Sequence, residues 1–404
     1  MLEGKSILLG VSGGIAAYKA AELLRCFVKE QATVQVVMTA AAQQFITPLT
    51  LQALSGQPVC TDLFDLGLES QIGHIQVARA AKLAVLAPAT ANLIGKMAAG
   101  IADDYLTTVI LATTAPVLVC PAMNDKMYAH PATQRNLQTL RLLGYHILEP
   151  ESGSLACGEE GPGRLAGLPD IVEAAQRLLT PPTLQGRRIL VSAGPTWEAF
   201  DPVRFMTNPS TGKMGYALAS VAARRSGEVH LVTGPSALGI PQGINVYRVT
   251  SAEEMKQAIL DLAPTMDAIV MAAAVGDYRP QAVALQKLKK ASPTMEVTLV
   301  RNPDILSLLG ENKPPAQVLV GFAAETENLL ENAREKLVKK NLDFVVANDL
   351  SVTGSGFACD TNQVKIIDRS GEVADCPCLP KDKVAALIWD RVERTLAVRE
   401  GAIP

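Results

Sequence analysis

In Leu179-Thr-Pro-Pro-Thr-Leu-Gln-Gly-Arg-Arg-Ile-Leu-Val-Ser-Ala-Gly-Pro-Thr196 the chain begins a second time. From Gly186 it repeats, in character, the opening Gly4-Lys-Ser-Ile-Leu-Leu-Gly-Val-Ser-Gly-Gly14: a basic step, an apolar strand, then a glycine-bearing turn. Pro181 and Pro182 stop the helical pattern before them and stiffen the link. The pattern predicts an α/β chain of two tandem Rossmann-like three-layer domains with mainly parallel sheets, residues 1–179 and 187–404 with a linker at 180–186. Each domain opens on a strand and a turn able to hold a phosphate.

Length agrees, since 404 residues at roughly 150 per domain make two or three domains. The 37 Lys and Arg against 40 Asp and Glu leave a formal charge of −3, with no block of like charge. That balance points away from nucleic acid and membrane surfaces and toward small-molecule substrates. No apolar run reaches the roughly 18 residues of a membrane span, and Met1-Leu-Glu-Gly-Lys5 passes into a strand rather than a signal peptide, so a cytoplasmic protein is expected. Cys26, Cys60, Cys120, Cys157, Cys359, Cys376 and Cys378 are too scattered for a disulfide framework, and reduced thiols are expected.

In the first half, Ile7 to Val11 is an apolar run of strand length and Ala16 to Leu24 carries strong helix formers. The turn between them lacks Gly-x-Gly-x-x-Gly spacing. The second strand, Val34 to Thr39, ends without the carboxylate that would bind a ribose hydroxyl, so NAD is disfavoured. Gly13, Gly14 and the helix start still make an anion site, and Ser12 and Thr39 offer hydroxyls to a single phosphate. A mononucleotide such as FMN fits better, the alternative being an ordinary strand-to-helix turn. Lys82 to Pro88 reads as a strand, Ala91 to Ala112 as one long helix, Val117 to Cys120 as a strand and Ala132 to Leu143 as a helix. Ligands of such a sheet bind at the carboxyl ends of its strands, where Thr39, Thr90 and Asn124 fall.

Three side chains here suit chemistry. His74 has the intrinsic pKa of a base, although a lone histidine between apolar neighbours reads more readily as a core residue. Asn124 alone reads as a helix cap. Cys157 sits in a glycine-dense loop, Ser152 to Gly163, long enough to act as a lid, and a thiol there is a candidate acid or nucleophile. As a set, Gly10-Val-Ser-Gly-Gly-Ile-Ala-Ala-Tyr-Lys19, Gly73-His-Ile75, Ala87-Pro-Ala-Thr-Ala-Asn92, Pro121-Ala-Met-Asn124 and Gly153-Ser-Leu-Ala-Cys-Gly158 resemble the flavin-dependent cysteine decarboxylases. The resemblance implies that Gly13, Gly14, Thr39, Thr90 and Asn92 line FMN. It also implies His74 as the base, Asn124 as the clamp on the substrate carboxylate, and Cys157 as the proton donor to an enethiolate. An electron sink is needed because a cysteinyl carbon left by CO2 cannot delocalise the charge; in the family the flavin transiently oxidises the thiol to a thioaldehyde.

In the second half, a long stretch from Gly194 to Gly215 precedes a helix, and its length argues for function. Ser210-Thr-Gly-Lys213 superficially resembles a P-loop. It fails, because Thr207 stands at the first glycine position and Met214 at the hydroxyl position. Ala268 to Val275 reads as a buried strand that places Asp277 at a ligand-binding end. Lys287 to Lys290 groups cations, Arg301 to Asp304 opens a helix, Val318 to Phe322 and Leu342 to Asp349 read as strands, and Lys336 and Lys340 share a helix face. Cys376 and Cys378 read as an incidental surface pair rather than a metal site.

The motifs Ser192-Ala-Gly-Pro-Thr196, Asp201-Pro-Val-Arg204, Thr207 to Gly215, Ala272 to Tyr278, Lys287-Leu-Lys-Lys290, Asn302-Pro-Asp304, Gly321 to Thr326 and Ala347-Asn-Asp349 resemble the phosphopantothenate-cysteine ligases. Together the two halves resemble the bifunctional coenzyme A biosynthetic family, with a flavoprotein-type domain followed by a ligase-type domain. The resemblance implies that CTP and Mg2+ activate 4'-phosphopantothenate as an acyl-cytidylate that cysteine attacks. It makes Asn208 the residue that holds this intermediate and Lys287 the assisting cation. It puts Asp277, Lys287, Pro303, Asp304, Ile305, Leu306, Phe322, Lys336 and Lys340 against CTP, leaves the metal ligands unknown, and implies a homo-oligomer of flavin-domain trimers and ligase-domain dimers, a dodecamer at its fullest. Two rivals stay open: a decarboxylase of another cysteine compound, and a non-catalytic flavin- and nucleotide-binding regulator, which needs neither the base nor the thiol.

Overall fold

The computed structural model describes residues 2–63, 73–154, 158, 160–289, 294–325, 328–349 and 359–401. The chain divides into two compact units, Met1–Thr180 and Pro181–Pro404. Within the second, Leu184 is buried and donates its N–H to Arg225 O at 2.9 Å.

The first unit runs β1 (Ser6–Val11), α1 (Lys19–Lys29), β2 (Thr33–Met38), α2 (Pro48–Ser55), α3 (Gly73–Ala80), β3 (Leu83–Ala89), α4 (Ala91–Ala99), α5 (Tyr105–Ala112), β4 (Val117–Pro121), α6 (Asp125–Ala129), α7 (Pro131–Leu142), β5 (His146–Ile147), β6 (Glu151–Ser154), β7 (Glu160–Arg164) and α8 (Leu168–Leu179). The main sheet is parallel throughout, in the order β2-β1-β3-β4-β5. Its strands read as continuous apolar runs because both faces are covered. On β1, Ile7, Leu9 and Val11 pack with Leu23, Leu24 and Phe27 of α1 and Ile171 of α8. Leu8 turns the other way, onto Leu106 and Val109 of α5 and Leu137 and Leu140 of α7. Each large side chain buried in this way contributes about 1.5–3 kcal/mol.

The helix expected over Ala91 to Ala112 is two helices. Gly100 closes α4 in the left-handed region at φ 68°, and Asp104 starts α5 with a capping box, accepting from Thr107 N–H at 2.8 Å. A helix stop and a fresh cap inside one apolar pattern break what periodicity alone joins.

The second unit runs β8 (Arg188–Ala193), β9 (Trp197–Ala199), β10 (Phe205–Thr207), α9 (Lys213–Arg224), β11 (Glu228–Thr233), β12 (Asn245–Arg248), α10 (Ala252–Leu262), β13 (Ala268–Met271), β14 (Tyr278–Pro280), β15 (Leu299–Arg301), α11 (Ile305–Glu311), β16 (Val318–Glu325), α12 (Leu329–Lys339), β17 (Phe344–Asp349), β18 (Thr361–Asp368), β19 (Val373–Pro380) and α13 (Lys381–Arg399). Its sheet order is β12-β11-β8-β13-β16-β17-β18-β19, parallel as far as β17 and antiparallel beyond. One face is covered by α10, α11 and α12. On α9, the Leu218 carbonyl accepts from the Nε1–H of fully buried Trp389 of α13 at 2.9 Å. The strand expected over Ala268 to Val275 ends at Met271, and the long stretch before α9 is a β9–β10 hairpin. Cys376 and Cys378 are not a surface pair: Cys376 is buried opposite Val364, and only Cys378 is exposed.

Candidate active sites in the two units

Both main sheets reverse their strand order beside the first strand of the unit, at β1/β3 in one and β8/β13 in the other. Crossover helices then leave to opposite faces, and a crevice opens at the carboxyl ends of those strands.

In the first unit this crevice is a cavity of about 1040 Å³ lined by Gly13, Gly14, Thr39, Thr90, Asn92 and Asn124. A Cβ on Gly13 would lie 2.4 Å from Ala41 Cβ, so only glycine lets the turns after β1 and β2 meet here. Thr39 Oγ1 accepts from Ala42 N–H at 3.2 Å, and Thr90 Oγ1 accepts from Leu93 N–H at 3.4 Å as the cap of α4. Each threonine hydroxyl thus keeps a proton to donate to a ligand oxygen. Ser12 differs from expectation. Its hydroxyl donates to Pro88 O at 2.7 Å and accepts from Thr90 N–H at 2.9 Å, which ties two turns together in place of a phosphate.

Asn124 caps α6, its Oδ1 accepting from Lys126 N–H at 2.9 Å. The β6–β7 hairpin begins beside it: Met123 N–H donates to Gly163 O at 2.9 Å, and Gly163, Arg164 and Leu165 line the cavity. Cys157 lies outside the described residues, between these two strands. His74 is the second residue of α3, edge-on to Tyr105 at 6.5 Å between ring centroids, and is not among the residues lining this chain's cavity. Lys96, which the sequence did not single out, does line it. Its hydrogen bond to Asp103 at 2.7 Å raises the ammonium pKa against a smaller effect of burial, keeping it charged. Cys120 at the end of β4 is inert by contrast, because complete burial pushes its thiol far up.

The cavity of the second unit, about 1050 Å³, is lined by Asn208, Asp277, Pro303, Asp304, Ile305, Leu306, Phe322, Lys336 and Lys340. Gly215 lets α9 sit on β8, since a Cβ there would lie 2.5 Å from Ala193 Cβ. Asn208, just past β10, donates its Nδ2–H to Ala274 O and Val275 O, each at 3.2 Å. Asn302 fixes the Asp277 turn, its side chain donating to Gly276 O and its backbone N–H to Asp277 O, both at 2.8 Å. Asp304 caps α11 through Ser307 N–H and pairs with Lys340 at 2.8 Å. Burial works to raise the Asp304 pKa, but the Lys340 ammonium and the Ser307 amide outweigh it and hold the carboxyl below its ordinary value. Lys336 Nζ donates to Phe322 O at 2.7 Å. Lys287 is exposed and is not among the lining residues.

Lys213, quoted in its motif but given no role there, and Lys381, which the sequence did not single out, are the first residues of α9 and α13 and line the same cavity. A lysine at a helix N-terminus opposes the helix dipole, and that opposition is the signal that marks them. Lys213 pairs with Asp360 at 2.6 Å. Burial lowers the pKa of Lys381. Among the described residues, no group of three or more His, Cys, Asp or Glu is placed to hold a metal ion, and no helix is long and apolar enough to cross a membrane.

The flavoprotein family profile matches residues 1–180, and the profile of the DNA/pantothenate metabolism flavoprotein C-terminal domain matches residues 184–396. The coenzyme A biosynthesis bifunctional protein CoaBC of Vibrio cholerae is 50% identical over 400 residues, 98% of this chain and 99% of its own length. That of Bacillus subtilis is 48% identical over 396 residues, 97% of each chain. Among solved structures, the C-terminal domain of a coenzyme A biosynthesis bifunctional protein CoaBC is 43% identical and covers 53% of this chain and 97% of that one, with a TM-score of 0.46. With relatives this similar along nearly its whole length, and both profiles matched in order, the chain belongs to the family of bifunctional coenzyme A biosynthesis proteins.

Proposed function

We propose that the C-terminal unit joins cysteine to 4'-phosphopantothenate at the expense of CTP, with Mg2+, and that the N-terminal unit decarboxylates the product, 4'-phosphopantothenoylcysteine, to 4'-phosphopantetheine with FMN. The observation that carries this reading is a cavity at the strand-order reversal of each unit, lined by most of the residues named from the motifs.

The first cavity fits a flavin mononucleotide: a glycine-floored turn, two threonine hydroxyls with protons to donate and a helix start surround one crevice. FMN, when bound, supplies a reversible hydride acceptor, the electron sink that loss of CO2 requires. Thr39 and Thr90 hold its phosphate, with Gly13, Gly14 and Asn92 against it. Asn124, fixed by its cap bond, orients the substrate carboxylate. His74 removes a proton from the substrate thiol, and Cys157 returns one to carbon. Each of these acid-base groups is worth about 10²- to 10⁴-fold in rate. His74 lies off the cavity of its own chain, which favours a shared site in a homo-oligomer, with trimers of the flavin unit and dimers of the ligase unit.

In the second cavity, Pro303 to Leu306, Phe322, Lys336 and Lys340 hold CTP, and Asp277 faces the same ligand. Asn208 secures the activated carboxylate, and Lys287 offsets charge on the leaving pyrophosphate. The cytoplasm is the expected compartment. Single Asn124→Ala and Asn208→Ala substitutions test the division of labour: the first is expected to accumulate phosphopantothenoylcysteine, the second to spare decarboxylation of that compound supplied from outside. Loss of both activities in either variant would contradict it.

A further inference from the structure

The β9–β10 hairpin carries Asn208 past its second strand, and its turn makes a second contact that this role does not use. Asp201 in that turn is 2% exposed. Its Oδ1 accepts from the N–H groups of Val203 and Arg204, each at 2.8 Å, which shapes the turn itself. Its Oδ2 accepts from Leu288 N–H at 3.1 Å, 87 residues further along the chain. Arg204 Nη2 completes the grip by donating to Leu288 O at 3.2 Å, and Ala284 N–H donates to Phe200 O at 3.0 Å. Lys287 therefore lies between two points, Ala284 and Leu288, both fastened to one turn.

We propose that Asp201 is a positioning residue for ligation: through Oδ2 it fixes the backbone beside Lys287, so that the hairpin bearing Asn208 also sets the place of the lysine. The inference rests on the role given to Lys287 above. A turn-shaping aspartate needs only Oδ1, and the Oδ2 bond to Leu288 is the observation a purely local role leaves unexplained. The carboxylate suits the task. Burial alone would raise its pKa, but the Val203, Leu288 and Arg204 amides together hold it below the ordinary value, so at neutral pH it is charged and acts only as an acceptor. A loose loop spreads the ammonium over many places, and a misplacement on the order of 1 Å can cost about 10²-fold in rate.

Asp201→Asn separates the two uses of the side chain. Its amide oxygen can keep both turn bonds, while the amide nitrogen presents a donor to the Leu288 N–H, another donor. Leu288→Pro removes the same bond from the other side and leaves the hairpin sequence untouched. The full chain and the D201N, L288P, K287A and D201N/K287A variants are compared for tryptic cleavage after the exposed Lys289, a bond that all of them keep, read by peptide mass, and for kcat and KM of ligation. The expected result is cleavage about tenfold faster in D201N and L288P, and kcat lowered about 10- to 100-fold with the KM for CTP within about twofold. D201N should cost nothing further in the K287A background. Unchanged cleavage, or an undiminished effect of D201N when Lys287 is already gone, overturns the proposal. Wild-type kcat in K287A alone overturns the reading of Lys287, and the positioning role with it; faster cleavage in D201N beside that result would show the failure to lie in the lysine and not in the bond.

Discussion

Replacing Gly13 by alanine puts one methyl group where the turns after β1 and β2 touch. The new Cβ would stand 2.4 Å from Ala41 Cβ, 2.6 Å from Ala41 C and 2.8 Å from Ala41 O, whereas ordinary contact begins at 3.4 Å. The nearest atoms belong to backbone or to a side chain with no rotamer to change, so the turn at Thr39 to Ala41 must retreat by about 1 Å. Overpacking of this kind costs about 1–3 kcal/mol. Because Thr39 is one of the two proposed phosphate donors, that cost falls on the geometry that binds the flavin, and FMN affinity should drop roughly 5- to 150-fold. The assay is FMN retained after desalting, with a dissociation constant from flavin fluorescence. Gly95→Ala is the control: its Cβ would meet nothing closer than Asn136 Nδ2 at 3.5 Å, inside α4, and alanine there should be neutral or stabilising by up to about 1 kcal/mol. Ligation should survive Gly13→Ala, since the second unit has its own core. Wild-type flavin affinity in Gly13→Ala would refute the reasoning.

Gly215→Ala should produce the converse, a loss of ligation with FMN content intact, because its Cβ would lie 2.5 Å from Ala193 Cβ and 2.9 Å from its Cα; substrate-dependent release of pyrophosphate and flavin absorbance check the two halves. Asp343→Ala should destabilise the second unit by about 3–5 kcal/mol in urea unfolding. It leaves Lys313, 5% exposed and 2.9 Å from the lost carboxylate, uncompensated, along with Arg399 at 2.5 Å. A carboxyl held below its ordinary pKa in the folded state adds stability above the unfolded value and loses it as pH falls through the folded one. The Asp304–Lys340 pair should therefore persist to below the ordinary carboxylate pKa of about 3.9, and Lys340→Met should move the Asp304 titration upward, as followed by carboxyl carbon NMR.

The strands were legible because sheets covered on both faces are built from apolar runs, as Ile7 to Val11 and Val117 to Cys120 show. Their ends were not. Ala272 to Val275 continues the composition of β13, yet its backbone is committed elsewhere: Ala273 N–H to Ser192 Oγ, Ala274 N–H to Gly194 O, and the Ala274 and Val275 carbonyls to Asn208. Hydropathy carries no record of such partners. The break at Gly100 was readable, since Asp104 and Thr107 stand at capping-box spacing after a helix-ending glycine. The candidate residues of both cavities were found through motifs rather than pattern. Asp201 was visible within its motif but its reach was not: an aspartate before proline in a turn looks local, and its bond to Leu288, 87 positions along the chain, exists only once the residues between them have folded.

The most direct measurement is the product made by the purified chain from 4'-phosphopantothenate, cysteine and Mg2+, followed by mass spectrometry with and without CTP. The account predicts 4'-phosphopantetheine only when CTP is present, with flavin bound to the protein. Accumulation of phosphopantothenoylcysteine with flavin bound would contradict the assignment of the first unit. Failure to ligate, with supplied phosphopantothenoylcysteine still decarboxylated, would contradict that of the second.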